Sequence, residues 1–153
     1  MPVKPIPEGY HSVTPYLICK NAAKAIDFYK AAFGAKETVR MPGPGGKVMH
    51  AELLIGNSYI MLADEAPERD SRSPESIGGT PVGFMIYVPD VDTQFKQAVA
   101  AGGKVVMPVK DQFYGDRSGT ILDPFGHKWT IGTHKEDVSP EEMQRRMAAM
   151  PKL

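Results

Sequence analysis

Val82-Gly83-Phe84-Met85-Ile86-Tyr87-Val88, followed by an amphipathic run over 91–101 and stopped by Gly102-Gly103-Lys104, repeats a pattern the chain has already used once. The earlier copy is Val13-Thr14-Pro15-Tyr16-Leu17-Ile18, then a run over 22–33, then Gly34-Ala35-Lys36. In the first run Ile26, Tyr29 and Phe33 fall at i, i+3 and i+7, and Ala25 and Phe28 widen the stripe, which is the helical period. Asn21 and Asp90 stand where an N-cap accepts backbone N–H groups. Gly34 stands where a left-handed residue ends a helix. A long repeat seen only twice argues for paired modules rather than a solenoid. Two copies predict two half-sites facing each other across one cavity.

Working outward, strands are expected over 35–41, 48–55 and 58–63. Pro42-Gly43-Pro44-Gly45-Gly46 forms a hairpin tip and Gly56-Asn57 a tight turn. The second copy continues with strands over 104–109, 118–122 and 128–133; Asp123-Pro124-Phe125-Gly126 has the residues of a type I turn. Module one is thus 10–64 and module two 82–134, within one domain spanning 1–153. The polar stretch 65–81 is the linker, long enough to suggest a lid or flexible segment. Residues 1–9 read as an extended, Pro-rich arm. Ser139-Pro140-Glu141-Glu142 is a capping box that opens a short helix over 139–150. That helix carries Met143, Met147 and Met150 on one side, to dock on its own domain or on a second copy.

Lys+Arg and Asp+Glu balance at 18 each, so no broad basic field addresses nucleic acid or anionic membrane. No apolar stretch reaches the roughly 20 residues of a bilayer span, and the N-terminus has no secretory apolar run. Cys19 is the lone cysteine and forms no internal disulfide. Cytoplasmic residence is the expectation.

Ala25-Ile26-Asp27-Phe28-Tyr29 with Phe33-Gly34, and Asp123-Pro124-Phe125-Gly126-His127 before a strand, resemble the vicinal oxygen chelate superfamily. That superfamily has the glyoxalase/bleomycin-resistance/dioxygenase fold, and the likeness is greatest to its PhnB-like branch. The resemblance implies an α+β fold: two βαβββ modules whose mixed and antiparallel strands form a curved cup, helices outside. It also implies a homodimer, in some members with modules paired across chains.

Metal-dependent members chelate one divalent cation with four side chains. Carried across residue by residue, those positions are Thr14, Met61, Gly83 and Thr130. Neither they nor their immediate neighbours are carboxylates or imidazoles, whereas such a cation needs N or O donors at about 2.0–2.2 Å. No metal and no other cofactor is therefore expected, which puts metal-dependent glyoxalase chemistry in doubt.

His50 and Glu52 lie two apart on an expected strand, so both point to one face. They are candidates for acid–base work, or they belong to a solvated face with Met49, Ala51 and Leu53 buried behind. Arg117, held by Asp116, would grip an anionic or carbonyl group, or would be a structural ion pair. Gly115 would aim Tyr114 and Arg117 inward. Tyr16, Met61, Met85 and Tyr87 are expected to line the cup beside Thr130, unless side chains simply fill it. Trp129 falls on the opposite, core-facing parity. His11, His127 and His134 read as surface or turn residues, and Cys19 as a buried thiol.

Three functions stay open. One is a metal-free protein of the bleomycin-resistance type that binds a small, partly apolar organic molecule between its modules. The second is a glyoxalase-like lyase, isomerase or related enzyme with a relocated metal or a metal-free site at His50 and Glu52. The third is a dimeric interaction module with a filled cup. Whether the protein is an enzyme is undecided at this level.

Overall fold

The computed structural model describes residues 2–151. Its order is β1 (Tyr16–Cys19), α1 (Ala22–Phe33), β2 (Lys36–Pro42), β3 (Val48–Ile55), β4 (Ser58–Asp64), α2 (Pro74–Ile77), β5 (Gly83–Tyr87), α3 (Val91–Ala100), β6 (Lys104–Asp111), β7 (Asp116–Leu122), β8 (Lys128–His134) and α4 (Pro140–Ala148). Each half is βαβββ, as the repeat predicts. The strands form two separate four-stranded sheets, ordered β1-β4-β3-β2 and β5-β8-β7-β6. In each, the first strand runs parallel to the last and the other pairs are antiparallel.

The caps explain the helix bounds. Asn21 accepts from Lys24 N–H, Asp90 from Thr93 N–H and Ser139 from Glu142 N–H. Gly34 ends α1 in the left-handed region at φ +66°, where a Cβ is unfavourable. Alternation suggests a strand over 10–19, but β1 begins only at Tyr16. Pro15 lacks an N–H and enters the ladder only through its carbonyl, which accepts from Met61 N–H at 2.9 Å.

One core joins the halves. From α1, Ala25, Ile26, Tyr29, Ala32 and Phe33 are buried against Leu17, Leu53 and Leu62 of the first sheet and Trp129 of the second. The Trp129 ring lies 5.3 Å from Tyr29 and 4.9 Å from Phe33, centroid to centroid. Gln97 Nε2 donates to the Ala31 carbonyl at 2.7 Å, tying α3 to the end of α1. Each large side chain so buried contributes roughly 1.5–3 kcal/mol.

The linker is folded onto the body. Ala66 and Ser71 pair their backbones, Glu65 accepts from Ser73 N–H at 2.7 Å, and Ser73 is fully buried. Pro74 packs against Gly126, where any Cβ would stand 2.8 Å from the proline's. Hydrogen bonds from Ser73 and Ser76 bring the Glu65 carboxyl down to about 2. Among the described residues, no helix is long and apolar enough to cross a membrane.

Candidate functional site

Strand alternation gives each sheet a face turned away from the shared core. On the first sheet, register puts Tyr16, Met61 and Glu52 in one row across β1, β4 and β3. On the second, Met85, Thr130 and Thr120 form the matching row across β5, β8 and β7. Tyr16, Met85 and Tyr87 are 49%, 41% and 63% exposed, so neither face is filled within one chain.

The first face carries a chain of hydrogen bonds. Tyr16 Oη lies 2.8 Å from His50 Nδ1, and His50 Nε2 lies 3.0 Å from Glu52 Oε1. Tyr10 donates to the other Glu52 oxygen. Tyr10 is held in place by stacking on Tyr59, with ring centroids 4.1 Å apart. Hydrogen bonds from His50 and then Tyr10 lower the Glu52 pKa. Burial, reinforced by Glu52, raises those of Tyr10 and Tyr16, so both phenols stay protonated. The strand patterning singles out His50 and Glu52 but not Tyr10, which directly follows the Pro-rich arm at the start of module one. Ala51 and Leu53 are buried behind the pair as expected. Met49 is 52% exposed, because a bulge between Met41 and Pro42 breaks the alternation there.

Two clefts divide the expected cup residues. One, of about 800 Å³, lies on the first face; Tyr16, Ile18, Val48 and Ala63 line it together with the charged Lys47, Asp64, Glu65, Glu68 and Arg69. The other, of about 760 Å³, lies between the halves and takes Met85 and Tyr87 with Thr14, Tyr59, Phe84 and Trp129. Within one chain, therefore, the predicted cavity is not a single space: Tyr16 faces one cleft, and Met85 and Tyr87 the other.

The region 9–131 matches the family model of the Glyoxalase/Bleomycin resistance protein/Dioxygenase superfamily. The chain belongs to this superfamily. It is 44% identical over 141 residues to Uncharacterized protein Mb0911c of Mycobacterium bovis, covering 90% of this chain and 93% of the relative. The crystal structure of TioX from a Micromonospora species is similar at a TM-score of 0.65 and 28% identity, over 81% of this chain and 98% of that one. An Arabidopsis thaliana gene product is similar at a TM-score of 0.64 and 26% identity, over 79% and 97%.

The superfamily's divalent metal can be tested against the side chains present. Thr14 lies before β1, Gly83 offers no side-chain donor, and Met61 offers only a thioether. The Thr130 hydroxyl is bonded to Thr120 at 2.9 Å. Among the described residues, no group of three or more His, Cys, Asp or Glu converges. This donor set does not fit the superfamily cation.

Arg117 does not join the candidate site. It stands on the core-facing parity of β7, three positions from Thr120, and forks onto both Asp92 oxygens at 2.8 Å each, with Asp111 at 3.1 Å. It is the structural ion pair of the two readings. Tyr114 packs edge-on against Phe113 and lines neither cleft. His127 is buried beside Phe84 and not a surface residue, and Trp129 is buried as its parity predicts. Burial also pushes the Cys19 thiol up, so no thiolate is presented.

The second face has its own network around the buried Asp116. Tyr87 Oη donates to it at 2.9 Å and His134 Nδ1 lies 2.7 Å from it, while His134 Nε2 lies 2.8 Å from Asp137. Both imidazole nitrogens face carboxylates, an arrangement that favours the charged ring, and hydrogen bonds to Asp116 and then Asp137 raise the His134 pKa. A raised pKa contributes stability that is complete below the unfolded value of about 6.5 and is lost as pH rises through the folded one. His127 acts in the opposite direction, because burial lowers its pKa and costs stability only below about 6.5. Wild-type melting temperature is expected to fall as pH rises above about 6.5. His134→Gln is expected to lose that slope while keeping the fall on the acid side. Parallel slopes above about 6.5 in both proteins would contradict the assignment.

Proposed function

We propose that the protein binds a small, partly apolar organic molecule on the open faces of its sheets, without the superfamily metal. The carrying observation is the first face: an apolar cleft beside an unbroken Tyr16–His50–Glu52–Tyr10 chain. An apolar lining with a few convergent polar groups is the usual make-up of a small-molecule site. The exposure of Tyr16, Met85 and Tyr87 on two separate faces supports a homodimer. In it the first face of one copy and the second face of the other build one cup.

The test combines metal analysis with a thermal-shift screen of small aromatic and heteroaromatic compounds, in EDTA and with added Zn, Ni, Mn or Fe(II). Expected are substoichiometric metal, melting temperatures indifferent to metal, and stabilisation by a subset of compounds. Near-stoichiometric metal that raises the melting temperature would overturn the metal-free reading. Sedimentation is expected to give the mass of two chains.

A second reading is favoured by the same hydrogen-bond chain. His50, oriented by Glu52, is placed as a base in a glyoxalase-like lyase or isomerase. Turnover of the methylglyoxal–glutathione hemithioacetal without metal, abolished by His50→Ala, would select it over binding alone.

A further inference from the structure

The donors along the first face can be assigned one by one. An ionised Glu52 only accepts, so Tyr10 and His50 Nε2 both donate to it. A neutral imidazole with its hydrogen on Nε2 is an acceptor at Nδ1. Tyr16 Oη stands 2.8 Å from that nitrogen and therefore donates to it. The one hydrogen of the Tyr16 hydroxyl is thus committed to His50 in an exposed bond, and Tyr16 itself lines the cleft.

We propose that Tyr16 Oη determines ligand specificity in this cleft and that His50 sets its polarity: it accepts from a ligand hydroxyl while His50 is neutral and donates to a ligand acceptor once His50 is protonated. The inference rests on the small-molecule reading of this face. The switch moves one proton, from solvent to His50 Nδ1. The new N–H turns to Tyr16 Oη, and the released phenol O–H rotates into the cleft. No bond between heavy atoms changes, and Glu52 remains as the counter-charge. Tyr16 on β1, Glu52 on β3 and, through Glu52, Tyr10 ahead of β1 are the titratable groups facing His50. Met41, paired with it from β2, adds none.

The ligand class follows from the walls. Ile18, Val48 and Ala63 suit an apolar ring or chain, and a phenol, enol or alcohol hydroxyl on it would meet Tyr16. Lys47 and Arg69 share the lining with Asp64, Glu65 and Glu68, so charge of both signs borders the cleft and selects no net ligand charge.

The first measurement needs no ligand. Imidazole ¹H–¹⁵N correlation spectra of the full chain, recorded where the ring shifts report a neutral imidazole, are expected to show His50 as the Nε2–H tautomer. The Nδ1–H tautomer would overturn the inference. The second compares phenol with anisole, the same ring with and without the hydroxyl, by NMR titration. Phenol is expected to bind about fivefold tighter while His50 is neutral. The preference should vanish once the imidazole shifts report protonation, and it should be absent at either pH in Tyr16→Phe. Equal binding to the neutral wild type, a preference indifferent to His50 protonation, or one that survives in Tyr16→Phe overturns the polarity switch and leaves the small-molecule reading standing. Binding of neither probe at this face counts against both.

Discussion

Asp123→Ala is expected to lower the melting temperature by on the order of 10 °C, or about 3–5 kcal/mol. The Asp123 side chain is fully buried, so the donors around it have no water to turn to. Its oxygens accept from Tyr29 Oη at 2.6 Å and from Trp129 Nε1 and the N–H groups of Phe125 and His127 at 2.9 Å each. Alanine would leave all four donors unpaired inside the core that joins the halves, and each such group costs about 1–3 kcal/mol. Asp123→Asn keeps the shape but turns an amide N–H₂ toward donors, so an intermediate loss is expected. Tyr29→Phe removes one donor and leaves three, and should cost only about 1–2 kcal/mol. In the double variant the effects should fall short of their sum, because the lost bond is shared. A loss from Asp123→Ala no larger than that from Tyr29→Phe would contradict this account.

Much of the architecture is legible from local chemistry. α1 has its stripe, its Asn21 cap and its Gly34 stop within one stretch of sequence, so no distant contact is needed to place it. The doubled unit makes α3 and the second sheet readable by analogy. Positions whose surroundings are set at long range are harder. Tyr10 reaches Glu52 from 42 residues away, and nothing in the pattern around Tyr10 points to that carboxylate. Arg117 stands just before the strand expected over 118–122, so alternation alone does not choose between its two readings. With β7 begun at Asp116 instead of Ser118, alternation puts Arg117 opposite in face to Thr120, toward α3. His127 follows an exposed-looking turn, yet the Asp123 carboxylate folds that turn inward and buries the ring. The expected single cavity depends on how two sheets sit together, and periodicity within each sheet does not carry that information.

Gly115→Ala is expected to be comparably costly, about 3–5 kcal/mol, and to act locally first. Gly115 has φ +103°, and a Cβ there would lie 2.2 Å from the Glu136 carbonyl oxygen and 3.0 Å from Val138 Cγ2. The first obstacle is backbone, so it cannot rotate aside. Relief requires the segment after β8 to move off, which breaks the bonds from Lys135 and Glu136 N–H to the Gly115 carbonyl at 2.9 and 3.0 Å. That segment holds the tail. Glu136 receives Arg146 of α4 at 2.7 and 3.0 Å, and Arg146 also donates to the Phe113 carbonyl at 3.2 Å. α4 buries no residue of its own, so it has little else to keep it docked. Amide exchange over 134–148 is therefore expected to accelerate before global unfolding. Gly45→Ala is the control, since its φ of +68° is also positive but nothing lies within 4 Å of the new Cβ. It should cost about 1 kcal/mol and leave the tail protected. Because Asp137 leaves His134 with the displaced segment, Gly115→Ala should also flatten the fall in stability above about pH 6.5. Wild-type exchange in the tail together with an unchanged slope would show that the Gly115 contact does not hold it.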